Sequence, residues 1–131
     1  MRLASLSILA LALALTGCDS GEPTTCSDTS TEVQKADVTV GTGSATATVN
    51  STVTVTYVGT LTDGTEFDSG RLDNFSLART IPGFRLGVAG MKIGGRRTIT
   101  VPPYLGYVAA TRPGIPSCST LIFDVTLLDV R

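Results

Sequence analysis

Along residues 52–57 the chain alternates, with Thr52, Thr54 and Thr56 falling between Val53, Val55 and Tyr57. A strand repeats every two residues, so the three larger apolar side chains share one face and the threonines take the other. Short β-type runs recur at Val38-Thr39-Val40, Ala45 to Val49, Phe75-Ser76-Leu77, Arg96 to Val101 and Leu121 to Val130, the last with Leu121, Phe123, Val125 and Leu127 on one face. Gly41-Thr42-Gly43 separates the first two runs, and strands with such short breaks predict an antiparallel sheet. A single segment carries the helical period instead. Ile81, Phe84, Val88 and Met91 recur at i, i+3, i+7 and i+10, with Pro82 at the first helical position and Gly90 or Gly94 near the end. One short helix against one sheet is an α+β domain.

Two interruptions of this pattern concentrate candidate chemistry. After Leu61, Asp63-Gly64 tolerates positive φ and lets the chain reverse; Phe67 and Asp68 follow at once. A carboxylate beside a large aromatic just past a reversal either caps the loop or is aimed into a pocket, and the pattern leaves both open. The second interruption runs from Pro102 to Ser119, with four prolines and two glycines. Loops of that length without secondary structure are usually functional or disordered, and Tyr104, Tyr107 and Ile115 favour a functional one.

The N-terminus reads differently. Arg2 precedes an apolar run from Leu3 to Leu15, too short to span a bilayer comfortably and suited to an export signal. Leu15-Thr16-Gly17-Cys18 resembles the bacterial lipobox, which implies cleavage before Cys18 and lipidation of that cysteine. Residues 19–37 are rich in Ser, Thr, Asp and Glu with Val33 as the one sizeable apolar side chain, too little to bury a core. The expected organisation is a signal peptide over 1–17, a disordered tether over 18–33 reaching roughly 50 Å if extended, and a folded domain over 34–131. Localisation would then be extracytoplasmic, on a bacterial membrane. With Cys18 modified, Cys26 and Cys118 remain, and outside the cytoplasm such a pair is expected as a disulfide, two free thiols being the alternative.

Composition narrows the chemistry. The chain has 131 residues, three cysteines, no histidine and no tryptophan, enough for one small domain with an appendage. Lacking histidine, it lacks the commonest general base and metal ligand, which argues against triad and metal catalysis. Formal charge is −1, and Arg79, Arg85, Lys92, Arg96, Arg97 and Arg112 form no run longer than two, which is no nucleic-acid footprint.

The pattern Y-x-G-x-L-x-D-G-x-x-F-D-S from Tyr57 to Ser69 continues with Ile81-Pro82-Gly83-Phe84, Gly87-Val88-Ala89-Gly90-Met91, Gly94, Pro113-Gly114-Ile115 and Leu121-Ile122-Phe123-Asp124-Val125. In register from about Val38 to Val130, this set resembles the FKBP-type peptidyl-prolyl cis-trans isomerase family. The resemblance implies a twisted antiparallel sheet of five or six strands wrapped around one short helix, and an activity on X-Pro bonds. Rotation about such a bond forms no new bond to another atom, so it needs no nucleophile, metal or cofactor, and the missing histidine is no objection.

By the same resemblance, Phe84 would form the floor of a proline pocket, Tyr57, Phe67, Phe75 and Phe123 its walls, Ile81 its edge with its backbone N–H donating to a substrate carbonyl, and Ile115 its rim, with Thr80 a further substrate-binding position. Tyr107 would donate its hydroxyl to a carbonyl beside the isomerising bond. Asp68 would set a negative field near the carbonyl carbon and bond to a tyrosine, Tyr57 being the candidate. Partners would be proline-containing polypeptides and macrolide inhibitors, the protein acting as a monomer. There are departures: Phe84 stands where tryptophan is frequent, Thr80 where valine is, Arg112 where histidine is, and the loop after Ile115 is one residue shorter. They bear on substrate preference and macrolide affinity more than on activity. A proline-segment binding module with little turnover is the alternative function; a structural domain that has lost the site fits poorly with Asp68, Tyr107 and Phe123 all present.

Overall fold

The computed structural model describes residues 26–108 and 113–131; the expected signal peptide over 1–17, Cys18 and Arg112 lie outside them. Strand β2 (Thr52–Leu61) runs between β3 (Glu66–Ser76) and β5 (Leu121–Val130). Strand β5 pairs in turn with β4 (Arg96–Val101), and β4 with β1 (Gln34–Thr39), so five antiparallel strands lie in the order β1-β4-β5-β2-β3. The alternation read from the sequence decides which face is buried: Val53 and Val55 on β2, Ile99 and Val101 on β4, and Leu121, Val125 and Leu127 on β5 are all at most 1 % exposed.

Helix α1 (Pro82–Val88) lies on that face. Its fit depends on two glycines one turn apart. A Cβ on Gly83 would stand 2.1 Å from Val101 Cγ1, and one on Gly87 2.3 Å from Ile99 Cγ2, so a larger residue at either place would lift the helix off β4. The next inward residue of β4 is Arg97. Its Nη1 donates to the carbonyls of Gly87 (2.8 Å) and Ala89 (3.1 Å), and its Nε to Asp37 Oδ1 at 2.6 Å. A helix end leaves carbonyls without intrahelical partners. Arg97 supplies donors there, while Asp37 from β1 neutralises the guanidinium.

Four expectations about elements change. Ala45 to Val49 is not a strand: apart from one bridge between Thr46 and Lys92, it runs beside the turn after α1, with Ala47 N–H donating to Met91 O and Gly90 N–H to Ala47 O, both at 2.8 Å. The first strand begins at Gln34 rather than Val38: its pairing with β4 starts at Gln34 opposite Thr100, and since every residue of β1 is exposed, with Val38 and Val40 among the exposed side chains, no apolar alternation marks its start. Strand β3 has 11 residues, not the short run at Phe75–Leu77. Two register shifts hide it from period-two reading. One leaves Phe67 as the extra residue between the Gly59–Asp68 and Thr60–Glu66 pairs; the other falls near Asn74, whose φ is 49°. Finally, α1 stops at Val88, and Met91 is buried in the turn that follows.

Before β1, residues 27–32 are exposed, but both ends of that stretch are fastened. Val33 packs against the core, and Cys26, 3 % exposed, is disulfide-bonded to Cys118.

Candidate active site

Between the long edge of the sheet, the first turn of α1 and the β4–β5 loop lies a cleft of about 490 Å³. Strand β2 contributes Tyr57; β3 contributes Phe67, Asp68, Leu72 and Phe75; the turn into α1 contributes Arg79, Thr80 and Ile81. The helix adds Phe84, the loop adds Tyr107, Pro113 and Ile115, and β5 adds Phe123. All ten residues singled out for catalysis or substrate binding therefore meet in one place. Cys26 and Cys118 lie outside the cleft, and Arg112 is outside the described residues.

Phe123 is the hub of the aromatic wall. Its ring centroid lies 5.2 Å from Phe84 and 5.6 Å from Phe67, both close to perpendicular, and 6.4 Å from Tyr57. Tyr57 also meets Phe84 edge-on at 6.1 Å. Edge-to-face packing at these separations is attractive and fixes ring orientation, so the walls are set before any ligand arrives. Of the expected wall and floor residues, Tyr57, Phe67, Phe84 and Phe123 are thus one interlocked group, with Phe75 lining the cleft beside it, and Phe84, 4 % exposed on the first turn of α1, is held from two sides.

The open question about Asp68 is resolved by its strand. It sits inside β3 opposite Gly59, not at a loop end, and its Oδ2 accepts the Tyr57 hydroxyl at 2.8 Å. A carboxylate is thereby held at the mouth of a cleft whose walls are mostly aromatic. Thr80 uses its hydroxyl locally, donating to Leu77 O at 2.7 Å and closing the turn that delivers Ile81 to the edge.

Gly59, the glycine of the Y-x-G pattern, shapes the cleft. A Cβ there would lie 2.6 Å from Phe67 Cζ and 3.2 Å from Phe123 Cε1, so its bare backbone is the surface on which both rings rest. Its signal was the glycine in mid-strand, which often marks close approach by another group. Leu72, Arg79 and Pro113 were also not assigned to the site. Leu72 is concealed by the register shift in β3, and Arg79 by the three-residue turn Leu77–Arg79, too short for any periodicity.

An aromatic cleft over the first turn of a single helix, with a tyrosine-bonded carboxylate at its mouth and a strand-connecting loop as its lip, is the plan of an FKBP-type domain. Residues 43–128 match the FKBP-type peptidyl-prolyl cis-trans isomerase family, and the chain belongs to it. Among relatives, FkpA of Escherichia coli K12 is 49 % identical over 84 residues, covering 61 % of this chain and 31 % of FkpA. FK506-binding protein 4 of Aspergillus fumigatus is 45 % identical over 86 residues, covering 62 % of this chain and 18 % of that protein. The chain thus spans less than a third of these relatives' length. The crystal structure of E. coli FkpA superposes with a TM-score of 0.69 at 42 % identity, over 76 % of this chain and 48 % of that one. A prolyl isomerase from Pseudomonas syringae pv. tomato gives 0.68 at 29 % identity, over 75 % and 74 %.

Proposed function

We propose that this protein is a peptidyl-prolyl cis-trans isomerase that works on exported polypeptides from a lipid anchor at Cys18. The observation that carries the activity is the Tyr57–Asp68 pair at the mouth of a preformed aromatic cleft. Rotation about an amide meets a barrier of about 18–20 kcal/mol because resonance is lost in the twisted state. The catalyst must bind the twisted amide better than the planar one. A twisted amide has less charge separation, so it loses less than the planar form on leaving water for a dry aromatic site. In this reading the proline ring enters among Phe67, Phe84 and Phe123. Tyr107 donates to a neighbouring carbonyl, and the Asp68 carboxylate interacts with the carbonyl carbon as it loses its planar partner.

A protease-coupled assay with a tetrapeptide series X-Pro tests this. Acceleration of the cis-to-trans phase by micromolar protein, greatest with a large apolar residue before proline, is expected. No acceleration would leave a proline-segment binding module.

The anchor rests on Leu15-Thr16-Gly17-Cys18 at the end of the apolar run. A single acyl chain holds only marginally, whereas the multiple chains of a mature lipoprotein hold stably. Cys18→Ala should abolish incorporation of radiolabelled fatty acid, and label persisting in that variant would refute the anchor. Macrolide binding and a monomeric state are part of the same proposal.

A further inference from the structure

The β4–β5 loop brings Tyr107, Pro113 and Ile115 to the cleft, yet it belongs to no strand. Its first leg is a turn at Pro103–Leu105, closed by Leu105 N–H on Pro102 O and Gly106 N–H on Pro103 O. Its two legs meet where Cys118 N–H donates to Val108 O at 2.9 Å, which makes a narrow neck at the base of the loop. At that neck Cys118 has φ 59°, a conformation that a residue bearing a Cβ keeps only when its surroundings impose it.

Cys26 supplies such surroundings. It is 92 residues away in sequence, buried, and bonded through sulfur to Cys118 on the second leg. Its own N–H donates to the Tyr104 hydroxyl on the first leg at 3.4 Å. One residue from the N-terminal segment therefore touches both sides of the neck. Ile115 is three residues from Cys118 and 4 % exposed, packed in the core, while Tyr107 adjoins Val108. A shift at the neck is passed to both.

We propose that the Cys26–Cys118 disulfide is a positioning element of the proline-binding cleft: it clamps the base of the loop and so holds Tyr107 and Ile115 against the substrate. This rests on the isomerase reading for its effect on turnover, but not for its effect on the loop. Without the bridge, Cys26 keeps the 3.4 Å hydrogen bond to Tyr104 and, across the exposed residues 27–32, the packing of Val33; once that weak hold gives way, the loop loses a partner on each leg.

The test compares the full chain with Cys26→Ser/Cys118→Ser by amide hydrogen exchange and isomerase kinetics in parallel. Amides of residues 104–120 should exchange roughly tenfold or more faster in the variant, with those of β2 and β5 unchanged. In the same variant kcat/KM should fall roughly threefold to tenfold, most of it through KM, because a loosened wall weakens substrate positioning. Dithiothreitol, which converts the bridge to two thiols and becomes the cyclic disulfide, should move folded wild type to the variant's values and leave the variant unmoved; reoxidation should restore wild type. Unchanged loop exchange overturns the proposal, as does faster loop exchange with unchanged KM. Equal acceleration in β2 and β5 also overturns it, since the bridge would then be a general stabiliser. Should wild type fail to accelerate isomerisation, the isomerase reading falls and loop exchange alone decides the clamp.

Discussion

Tyr57 and Asp68 are diagonal neighbours across β2 and β3: Tyr57 stands opposite Gly70, Asp68 opposite Gly59, and the hydroxyl of one reaches the carboxylate of the other at 2.8 Å. Diagonal pairs on one sheet face are within reach for long side chains, so the pairing register itself sets this bond. Tyr57→Phe and Asp68→Ala should each lower kcat/KM, and the double variant should lose less than the sum, with a coupling of about 0.5–1.5 kcal/mol. Kinetics on one X-Pro peptide for all four proteins measure it. Strict additivity would mean that the bond does nothing for turnover.

Gly59→Ala should damage the cleft without unfolding the sheet. The added methyl lies where Phe67 Cζ and Phe123 Cε1 now rest, so one or both rings must move into the cleft. Overpacking of this kind costs typically about 1–3 kcal/mol. We expect a Tm drop consistent with that range and a loss of kcat/KM larger than that of Tyr57→Phe. Wild-type turnover in this variant would show that ring position is not critical.

How far the sequence was legible depended on whether one strand sufficed to see a feature. Strand β5 and the core face of β2 could be read from alternation because neither needs information from elsewhere. Strand β3 could not, since the shifts at Phe67 and near Asn74 break its alternation, and most of its residues are exposed on the sheet edge. The convergence of Tyr57, Phe84, Tyr107 and Phe123 came from family spacings, not from periodicity, because they belong to four separate elements. The need for glycine at position 59 depends on rings from β3 and β5, and the place of Arg97 on carbonyls of α1; neither is visible along a single segment.

At Gly87→Ala two effects oppose each other. Alanine is favoured over glycine in a helix by about 0.8–1.0 kcal/mol. The new Cβ, however, would stand 2.3 Å from Ile99 Cγ2, and overpacking costs typically about 1–3 kcal/mol. The clash should win, giving net destabilisation in urea melts. Combining it with Ile99→Val, which trims the opposing side chain, should recover part of the loss; an unchanged or raised midpoint in the single variant would mean that α1 does not rest on β4 through this glycine.

On the outer face, Arg96 donates to both oxygens of Asp124, and this hydrogen bonding holds the Asp124 carboxyl below its usual range. A carboxyl whose folded pKa is depressed stabilises the fold above its unfolded pKa, and that contribution is lost as pH falls through the folded value. Asp124→Asn should therefore lower Tm slightly at neutral pH and converge with wild type in strong acid. The difference should be small and shrink with salt, since both side chains are substantially exposed. Thermal melts across the acid range, with and without added salt, check it. A gap that widens on acidification would reverse the sign and remove the pair as its source.

Phe84→Trp addresses the floor. Phe84 is held edge-on by Phe123 at 5.2 Å and Tyr57 at 6.1 Å, and it lines a cleft with room for a larger ring. An indole would add a few tens of Å² of apolar contact for a bound macrolide, worth about 1 kcal/mol at about 25 cal/mol per Å², or roughly fivefold in affinity. Against this stands the cost of displacing Phe123 if the rings are already interlocked, typically about 1–3 kcal/mol and paid in stability as well as binding. Because the added atoms can point into the open cleft rather than toward Phe123, we expect tighter macrolide binding with a Tm within a few degrees of wild type. Titration calorimetry of both proteins with the same macrolide, beside their melting curves, separates the cases: tighter binding at unchanged Tm supports Phe84 as the floor, and equal affinities would show that the ligand never reaches it.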